Sequence, residues 1–193
     1  MATTSTSMTA DAREHISVPS DRSAGQFWLA VMRIGVGFIF LWAFLDKLFG
    51  LGYSTASAKS VLNGGSPTKG FLSHVAVGPF QSFFHSLAGN PVVDVLFMVS
   101  LLGIGVAMIA GAGLRIAAIS NVVLMIGMWA AEWPMARLAA DGTATGSTNP
   151  FMDYHLAYAL VGIVVAYLGT ASAFGLGHWW SSQSIVRKHR VLL

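Results

Sequence analysis

The chain has 193 residues, of which 54% are hydrophobic and only 10% are charged. Soluble globular domains average roughly 25% charged residues, so 11 Lys and Arg and 8 Asp and Glu are too few to cover a water-facing surface. The absence of cysteine excludes disulfides, thiolate metal ligands and cysteine-held iron–sulfur clusters. A net charge of +3 offers no strongly basic surface, and no nucleic-acid partner is expected. The composition predicts an all-α integral membrane protein.

Four apolar stretches follow a polar N-terminal tail. Residues 1–26 are rich in Ser, Thr and Ala and lack the apolar core of a signal peptide. A spanning helix needs about 20 mostly apolar residues, and the stretches that qualify are residues 27–49, 92–112, 114–134 and 151–176. None alternates as a barrel strand does. The sequence predicts a four-transmembrane-helix bundle over residues 27–176, followed by a basic tail at 177–193.

The segments between the spans differ in length. Residues 50–91 form a long loop, whose part 71–87 is amphipathic and interrupted by Gly78-Pro79, which predicts short helices at the membrane surface. The second and third spans are separated only by residues 111–113, Gly-Ala-Gly, which predicts a tight helical hairpin. Glycines at 35, 37, 103 and 105 predict close helix contacts, and Asn121 predicts a hydrogen bond between helices.

The positive-inside rule predicts the orientation. With both termini in the cytoplasm, six cations lie inside and three lie in the outer loops; the inner ones are Arg13, Arg22, Arg115, Arg187, Lys188 and Arg190, and the outer ones are Lys59, Lys69 and Arg137. We therefore expect a multi-pass protein of the cytoplasmic membrane with both termini cytoplasmic and the long loop outside.

Ionisable residues gather at the outer ends of the predicted spans, namely Asp46, Lys47, Asp94, Glu132, Asp153 and His155. Arg33 alone lies deep in the inner half. Charges inside a bilayer are expensive, which makes such residues functional candidates. Carboxylates gathered near a histidine can carry protons.

A structural interpretation competes for the two aspartates that follow Asn-Pro. Asn90-Pro91 precedes Asp94 by three residues, and Asn149-Pro150 precedes Asp153 in the same way. Asn at the N-cap, Pro at the first helical position and an acid in the first turn are ordinary helix-start chemistry. On this interpretation the fourth helix begins directly after Asn149, and each Asp only stabilises its helix.

His155 is the strongest single candidate for a functional residue, because it is the only histidine within a predicted span. A haem held by two histidines is not expected, since His178 lies 23 residues further on, at the opposite face. A carboxylate–histidine metal site has the right residue types, but no His-Glu-x-x-His or Glu-x-x-His spacing supports it. No metal is predicted. His74 and His85 lie in the long loop and can reach the outer ends of the spans.

Several motifs together resemble the DoxX superfamily, and most closely its DoxD-type branch, the large subunit of thiosulfate:quinone oxidoreductase. The resemblance covers about residues 27–176 and rests on Arg33-Ile34-Gly35-Val36-Gly37-Phe38, Leu45-Asp46-Lys47-Leu48-Phe49, Asn63-Gly64-Gly65-Ser66-Pro67-Thr68-Lys69-Gly70, Gly89-Asn90-Pro91-Val92-Val93-Asp94 and Asn149-Pro150 to His155. It implies a four-helix bundle that oxidises thiosulfate to tetrathionate at the outer face and passes electrons to membrane quinone. It supplies no catalytic residues.

The candidate site residues therefore come from the charge cluster. Proton-handling catalytic candidates are His155, Asp153, Glu132 and Asp46; quinone-binding candidates are His155, Tyr158, Trp129 and Asp94; anion-binding candidates are Lys47, Lys69 and Arg137. Quinone is the one cofactor expected, with no haem and no iron–sulfur cluster. Four carboxylates would repel a thiosulfate dianion, which favours a quinone or proton site among the helices.

Two other function classes use the same features. A non-catalytic membrane anchor or assembly subunit would use the amphipathic segment 71–87 to dock a redox partner at the outer face. A proton-coupled transporter would use the carboxylates, but such proteins have broken helices at mid-membrane, and no span here has a central proline. Small residues on several helix faces also favour a homo-oligomer.

Overall fold

The computed structural model describes residues 22–168 and 174–193. In these ranges the chain is helical, and the sole β pairing is one isolated bridge between Leu138 and Ala144. The helices are α1 (Arg22–Phe49), α2 (Lys69–Leu72), α3 (Gln81–Leu87), α4 (Pro91–Ala110), α5 (Leu114–Glu132), α6 (Tyr154–Tyr167), α7 (Gly177–Ser182) and α8 (Ser184–Lys188). Short 3-10 turns occupy Ser57–Lys59, Val61–Asn63 and Arg190–Leu192.

Three helices are long and apolar enough to cross a membrane: Ala24–Phe49 within α1, then α4 and α5. They identify the chain as a multi-pass membrane protein, as the composition predicted. The polar tail predicted at 1–26 lies largely outside the described residues, and its last residues, 22–26, belong to α1.

The fourth predicted span differs at both ends. A helix over the whole of 151–176 was wrong, because α6 begins at Tyr154 and ends at Tyr167, while residues 174–176 form bends. Residues 169–173 of this predicted span lie outside the described ones. At 1.5 Å per residue, the 14 residues of α6 extend about 21 Å, which is less than the roughly 30 Å of a hydrocarbon core.

Helix α1 packs along α4, and glycine explains how closely. A Cβ added to Gly105 would lie 2.7 Å from the Leu41 amide nitrogen, and one on Gly37 would lie 2.8 Å from the Met108 Cβ. Two of the four glycines expected at helix contacts therefore serve this role. The expectation was wrong for Gly35 and Gly103, where an added Cβ would meet open space.

The interior is formed by apolar side chains of α1, α4, α5 and α6, with a core of Val36, Phe40, Leu101, Ile104, Met108, Met125 and Ala159. Asn121 lies among them, fully buried, and its Nδ2 donates to the Tyr158 carbonyl at 2.8 Å. This bond joins α5 to α6 and confirms the predicted interhelical role. Gly162 allows the approach, since a Cβ there would lie 2.2 Å from the same Nδ2.

The predicted tight hairpin joins α4 to α5. Gly111 and Gly113 both adopt left-handed backbone, at φ 70° and 67°, which glycine reaches without strain. Gly111 also leaves room for a buried cation: a Cβ on it would overlap the Arg33 guanidinium. Arg33 is fully buried, and its Nη2 donates to the Phe174 carbonyl. The first span is thereby tied to the segment that follows α6.

Candidate functional site

Four helix termini meet at one end of the helical body, which we call the acidic end. They are the last turns of α1 and α5 and the first turns of α4 and α6, and they carry the six ionisable residues that the sequence placed together. The acids among them divide into two groups with different partners.

Glu132, Asp153 and His155 form one group, here called the His155 cluster. The His155 Nδ1 lies 2.8 Å from the Asp153 Oδ2 and 4.0 Å from the Glu132 Oε2. One ligand-type atom from each of the three residues lies within 4.8 Å of the others. The His155 side chain is 1% exposed, that of Asp153 is 13% and that of Glu132 is 37%. The cluster thus runs from a buried imidazole to a carboxylate that solvent reaches.

The start of α6 positions two of these residues. Asp153 is the N-cap in extended backbone, and its Oδ1 accepts from the Leu156 amide at 3.2 Å. Its second oxygen remains free to face His155. The expected helix start directly after Asn149-Pro150 was wrong: the Asn149 Oδ1 accepts from the amides of Phe151 and Met152 in a local turn, and the helix begins later.

The end of α5 positions the third. Glu132 is its last residue, and the Tyr154 hydroxyl donates to its Oε1 at 3.0 Å. Trp133 then ends the helix in left-handed backbone at φ 45°, a conformation that is costly for a residue with a Cβ. Gly78 permits it to pack there, because a Cβ on Gly78 would lie 2.8 Å from the Trp133 Cβ. The long loop therefore holds the α5 terminus in place.

A cavity of about 580 Å³ opens beside the His155 cluster; we call it the polar cavity. Its wall includes Glu132, Asp153 and Tyr154 together with hydroxyl and amide side chains of the α5–α6 loop, namely Thr143, Thr145, Ser147, Thr148 and Asn149. His74 and Phe71 of the long loop line the opposite side. No Lys or Arg of residues 22–168 or 174–193 lines it, so the acids Glu132 and Asp153 face no cation in its wall.

The other two acids are engaged by the long loop. Asp46, 1% exposed, accepts from the amides of Tyr53 and Ser54 at 3.2 and 3.0 Å and from the Ser54 hydroxyl at 2.7 Å. Asp94 accepts from the Ser66 hydroxyl at 2.9 Å and from the hydroxyl and amide of Thr68. Both carboxylates fasten the loop to helix ends, and neither belongs to the His155 cluster.

The predicted anion-binding cations do not converge. Lys69 and Arg137 are exposed, and neither lines the polar cavity. Lys47 is half-buried, with its Nζ 5.9 Å from the centre of the Phe97 ring. It lines a second cavity.

That second cavity, here called the apolar groove, has a volume of about 530 Å³. It runs between α4 and α5, and the short helices α2 and α3 cover one side. Most of its wall is hydrocarbon, from Phe71, Leu72, Phe84, Leu87, Leu96, Phe97, Ile119, Val123, Leu124 and Met128. Lys47 and Thr68 supply polar groups to it. Phe71 and Ala131 line both cavities, which therefore adjoin.

The residues proposed from sequence to bind quinone lie apart from this groove. None of His155, Tyr158, Trp129 and Asp94 lines it. The Tyr158 ring packs 6.4 Å from Phe40 in the interior, and the Trp129 indole N–H donates to the Phe151 carbonyl at 3.1 Å.

Sequence reasoning missed two participants. Tyr154 holds Glu132 by a hydrogen bond across two helices, and only its position between Asp153 and His155 could have indicated this. The wall of the groove was missed because apolar residues on α4 and α5 look the same in the sequence whether they face lipid or a cavity.

The α5–α6 loop contains one further acid, Asp141, which is separate from the cluster. The Thr143 hydroxyl donates to its Oδ1 at 2.6 Å and the Thr143 amide does so at 3.0 Å. These bonds lower the pKa of Asp141 below its ordinary value. Asp141 is thus a turn-stabilising residue and a suitable control for changes at Glu132.

Comparison with protein-family models, curated proteins and solved structures found no match for this chain.

Proposed function

We propose that this chain is a membrane oxidoreductase subunit that binds an isoprenoid quinone in the apolar groove and reduces it with electrons from a small reductant in the polar cavity. The observation that carries the proposal is the pair of adjoining cavities that share Phe71 and Ala131, one lined by carboxylate, hydroxyl and amide side chains and the other mostly by hydrocarbon. An apolar acceptor and a water-soluble donor need two such compartments close together.

The groove suits a quinone by size and by chemistry. Ligand sites commonly measure about 300–1,000 Å³ and combine an apolar wall with a few polar groups that fix orientation. The groove has this volume and wall, and the Lys47 ammonium can donate hydrogen bonds to quinone carbonyls. Helices α4 and α5 are long and apolar enough to cross the membrane, so an isoprenoid tail can extend from the groove into lipid.

The DoxX-type resemblance supplies the proposed reductant. With thiosulfate, the balanced reaction is 2 S₂O₃²⁻ + quinone + 2 H⁺ → S₄O₆²⁻ + quinol, in which a sulfur–sulfur bond forms and two electrons pass to the quinone. We propose that the His155 cluster handles protons at the cavity. The chain has no cysteine, so the sulfur–sulfur bond forms between two substrate anions rather than on the protein.

The finer topology belongs to the same proposal. We infer that residues 151–176 complete a fourth span, with α6 as its helical part, to give a four-helix bundle. The excess of Lys and Arg at the opposite end from the His155 cluster supports cytoplasmic termini and an outer face at the acidic end. Thiosulfate then reaches the polar cavity from outside the cytoplasmic membrane.

The test is quinone retention and reduction by the full-length protein in lipid nanodiscs. We expect quinone to co-purify, and thiosulfate to reduce it. Lys47→Met is expected to weaken quinone binding at least about tenfold, because the carbonyl loses a charged hydrogen-bond donor. Lys59→Met, which removes an exposed cation outside the groove, is the matched control. Absence of quinone from the wild-type protein, with none bound on addition, would refute the proposal.

One observation favours the second candidate, a non-catalytic subunit that docks a redox partner. Phe80 and Phe83, beside and within α3, are 49% and 57% exposed. An assembly subunit would bury such aromatics against its partner. If the nanodisc protein binds quinone but transfers no electrons from thiosulfate, the docking function becomes the leading candidate.

A further inference from the structure

We infer that the His155 cluster is a binding site for a divalent first-row transition metal ion. The ligands are the His155 Nδ1 and one carboxylate oxygen each from Asp153 and Glu132. The inference goes beyond quinone reduction and replaces the proton role proposed above for these three side chains, because the same atoms cannot bind an ion and carry protons. Its test uses neither quinone nor thiosulfate.

The donor set matches the chemistry of such ions. Imidazole nitrogen with carboxylate oxygen suits Zn²⁺, Mn²⁺ and Fe²⁺, whereas thiolate-preferring sites are excluded by the lack of cysteine. Catalytic zinc sites use three protein ligands and leave a position open to the solvent side. Here the three ligands converge from two helix ends, and the open side faces the polar cavity.

The distances are those of an Asp–His hydrogen bond beside a second carboxylate, and the three residues must rearrange to hold an ion. The Nδ1–Oδ2 separation is 2.8 Å and the Nδ1–Oε2 separation is 4.0 Å. Ligands at about 2.0–2.2 Å from one tetrahedral ion lie roughly 3.3 Å apart. Binding an ion therefore requires the His155–Asp153 pair to widen by about 0.5 Å and Glu132 to move inward. Glu132 can do so because it is the last residue of α5 and its side chain is 37% exposed.

Charge balance is an independent argument. Two carboxylates share the site, and across residues 22–168 and 174–193 their sole ion-pair partner is His155. Within the part of the chain that the structure describes, no Lys or Arg lines the cavity beside them. A divalent cation balances the charge of both carboxylates.

Groups around the two carboxylates hold them in orientation, as metal sites require, whereas the His155 Nε2 is buried with no hydrogen-bond partner among the described residues. The Tyr154 hydroxyl fixes the Glu132 Oε1, which leaves the Oε2 directed at His155. The Leu156 amide fixes the Asp153 Oδ1 in the same way. The polar cavity supplies an entry path and room for a non-protein ligand on the ion.

The ion changes what the cavity can bind. Without it, the wall repels anions; with it, the cavity has a positive centre that an oxyanion such as thiosulfate can coordinate. The site therefore resolves the conflict between an acidic cavity and an anionic substrate.

The test is metal binding by the full-length protein in detergent after chelator treatment and dialysis. We expect one Co²⁺ per chain, with visible ligand-field absorption that added Zn²⁺ abolishes by displacement. Glu132→Gln and His155→Gln are expected to lower Co²⁺ affinity at least about tenfold. Asp141→Asn and His85→Gln remove a carboxylate and an imidazole outside the cluster and are expected to leave it unchanged.

Two results would overturn the inference. One is wild-type protein that takes up no stoichiometric Co²⁺ or Zn²⁺. The other is uptake that Glu132→Gln leaves intact while the variant elutes and melts like wild type, because Glu132 is partly exposed and its isosteric replacement should fold normally. Since no quinone is present in the assay, neither result depends on the fate of the proposed redox function.

Discussion

Asp94 and Asp153 are each the last residue of the same motif, Asn-Pro-x-x-Asp, near the start of a helix. The two carboxylates nevertheless have different partners in the structure. Asp94 lies one turn into α4, after a helix start capped by Asn90, and binds the loop through Ser66 and Thr68. Asp153 is itself the cap of α6 and directs its other oxygen at His155. The same local sequence yields a loop-binding carboxylate in one place and a candidate metal ligand in the other. The difference arises because different segments, with different hydrogen-bond donors, pack beside the two aspartates.

Asp46 gives the largest predicted effect among the carboxylates that bind the loop, and it tests whether that group is separate from the His155 cluster. Asp46→Ala removes a buried acceptor and strands the two amides and one hydroxyl that it binds, which we expect to cost about 3 kcal/mol of stability. Thermal unfolding in detergent measures the loss. If Asp46 only holds the loop, the variant that remains folded will bind Co²⁺ as wild type does. Weakened Co²⁺ binding would instead show that Asp46 contributes to metal binding by the His155 cluster.

Asp94 should behave in the same way with a smaller effect. Asp94→Ala loses the bonds from Ser66 and Thr68 at a half-buried site, and we expect a loss of about 2 kcal/mol. Limited proteolysis of the 50–68 loop should accelerate in parallel. Unchanged proteolysis and melting would mean that the loop does not depend on this carboxylate.

Asp153 separates capping from ligand chemistry through two variants. Asp153→Asn keeps a good N-cap, so stability should be almost unchanged, while Co²⁺ affinity falls at least about tenfold. Asp153→Ala should lose the same affinity and a further ~1 kcal/mol of stability, because the cap is gone. Equal stability of the two variants would contradict the capping role.

Tyr154 should give the smallest effect on folding. Tyr154→Phe removes only the hydroxyl that holds Glu132, and we expect about 0.5–1 kcal/mol of destabilisation. Co²⁺ affinity should nevertheless fall by about tenfold, because an outer hydrogen bond orients the ligand. An affinity equal to that of wild type would show that Glu132 needs no such support. Tyr167→Phe, at an exposed tyrosine of the same helix, is the control.

The sequence predicted what local chemistry and hydropathy determine. Three spans, the hairpin at residues 111–113, the short helices on either side of Gly78-Pro79 and the Asn90 cap all follow from residues close to one another. The gathering of ionisable groups at one end follows from the antiparallel order of the spans.

What the sequence could not predict depends on contacts between distant segments. The partners of Asp46 lie seven and eight residues further on, in irregular backbone that no periodicity specifies. The end of the fourth predicted span involves Arg33, 141 residues before Phe174. The start of α6 was misplaced because Asn149 caps a turn rather than a helix, and both structures use the same side-chain bond.

The Phe71 side chain can couple binding in the two cavities. Because its ring forms part of the wall of both cavities, an occupant of either one that displaces the ring also changes the shape offered to the other occupant. Thermodynamic linkage makes such an effect mutual: if filling the groove alters affinity in the polar cavity by some factor, filling the polar cavity alters affinity in the groove by the same factor. One aromatic side chain of α2 can thus make the affinity of each cavity depend on whether the other is occupied.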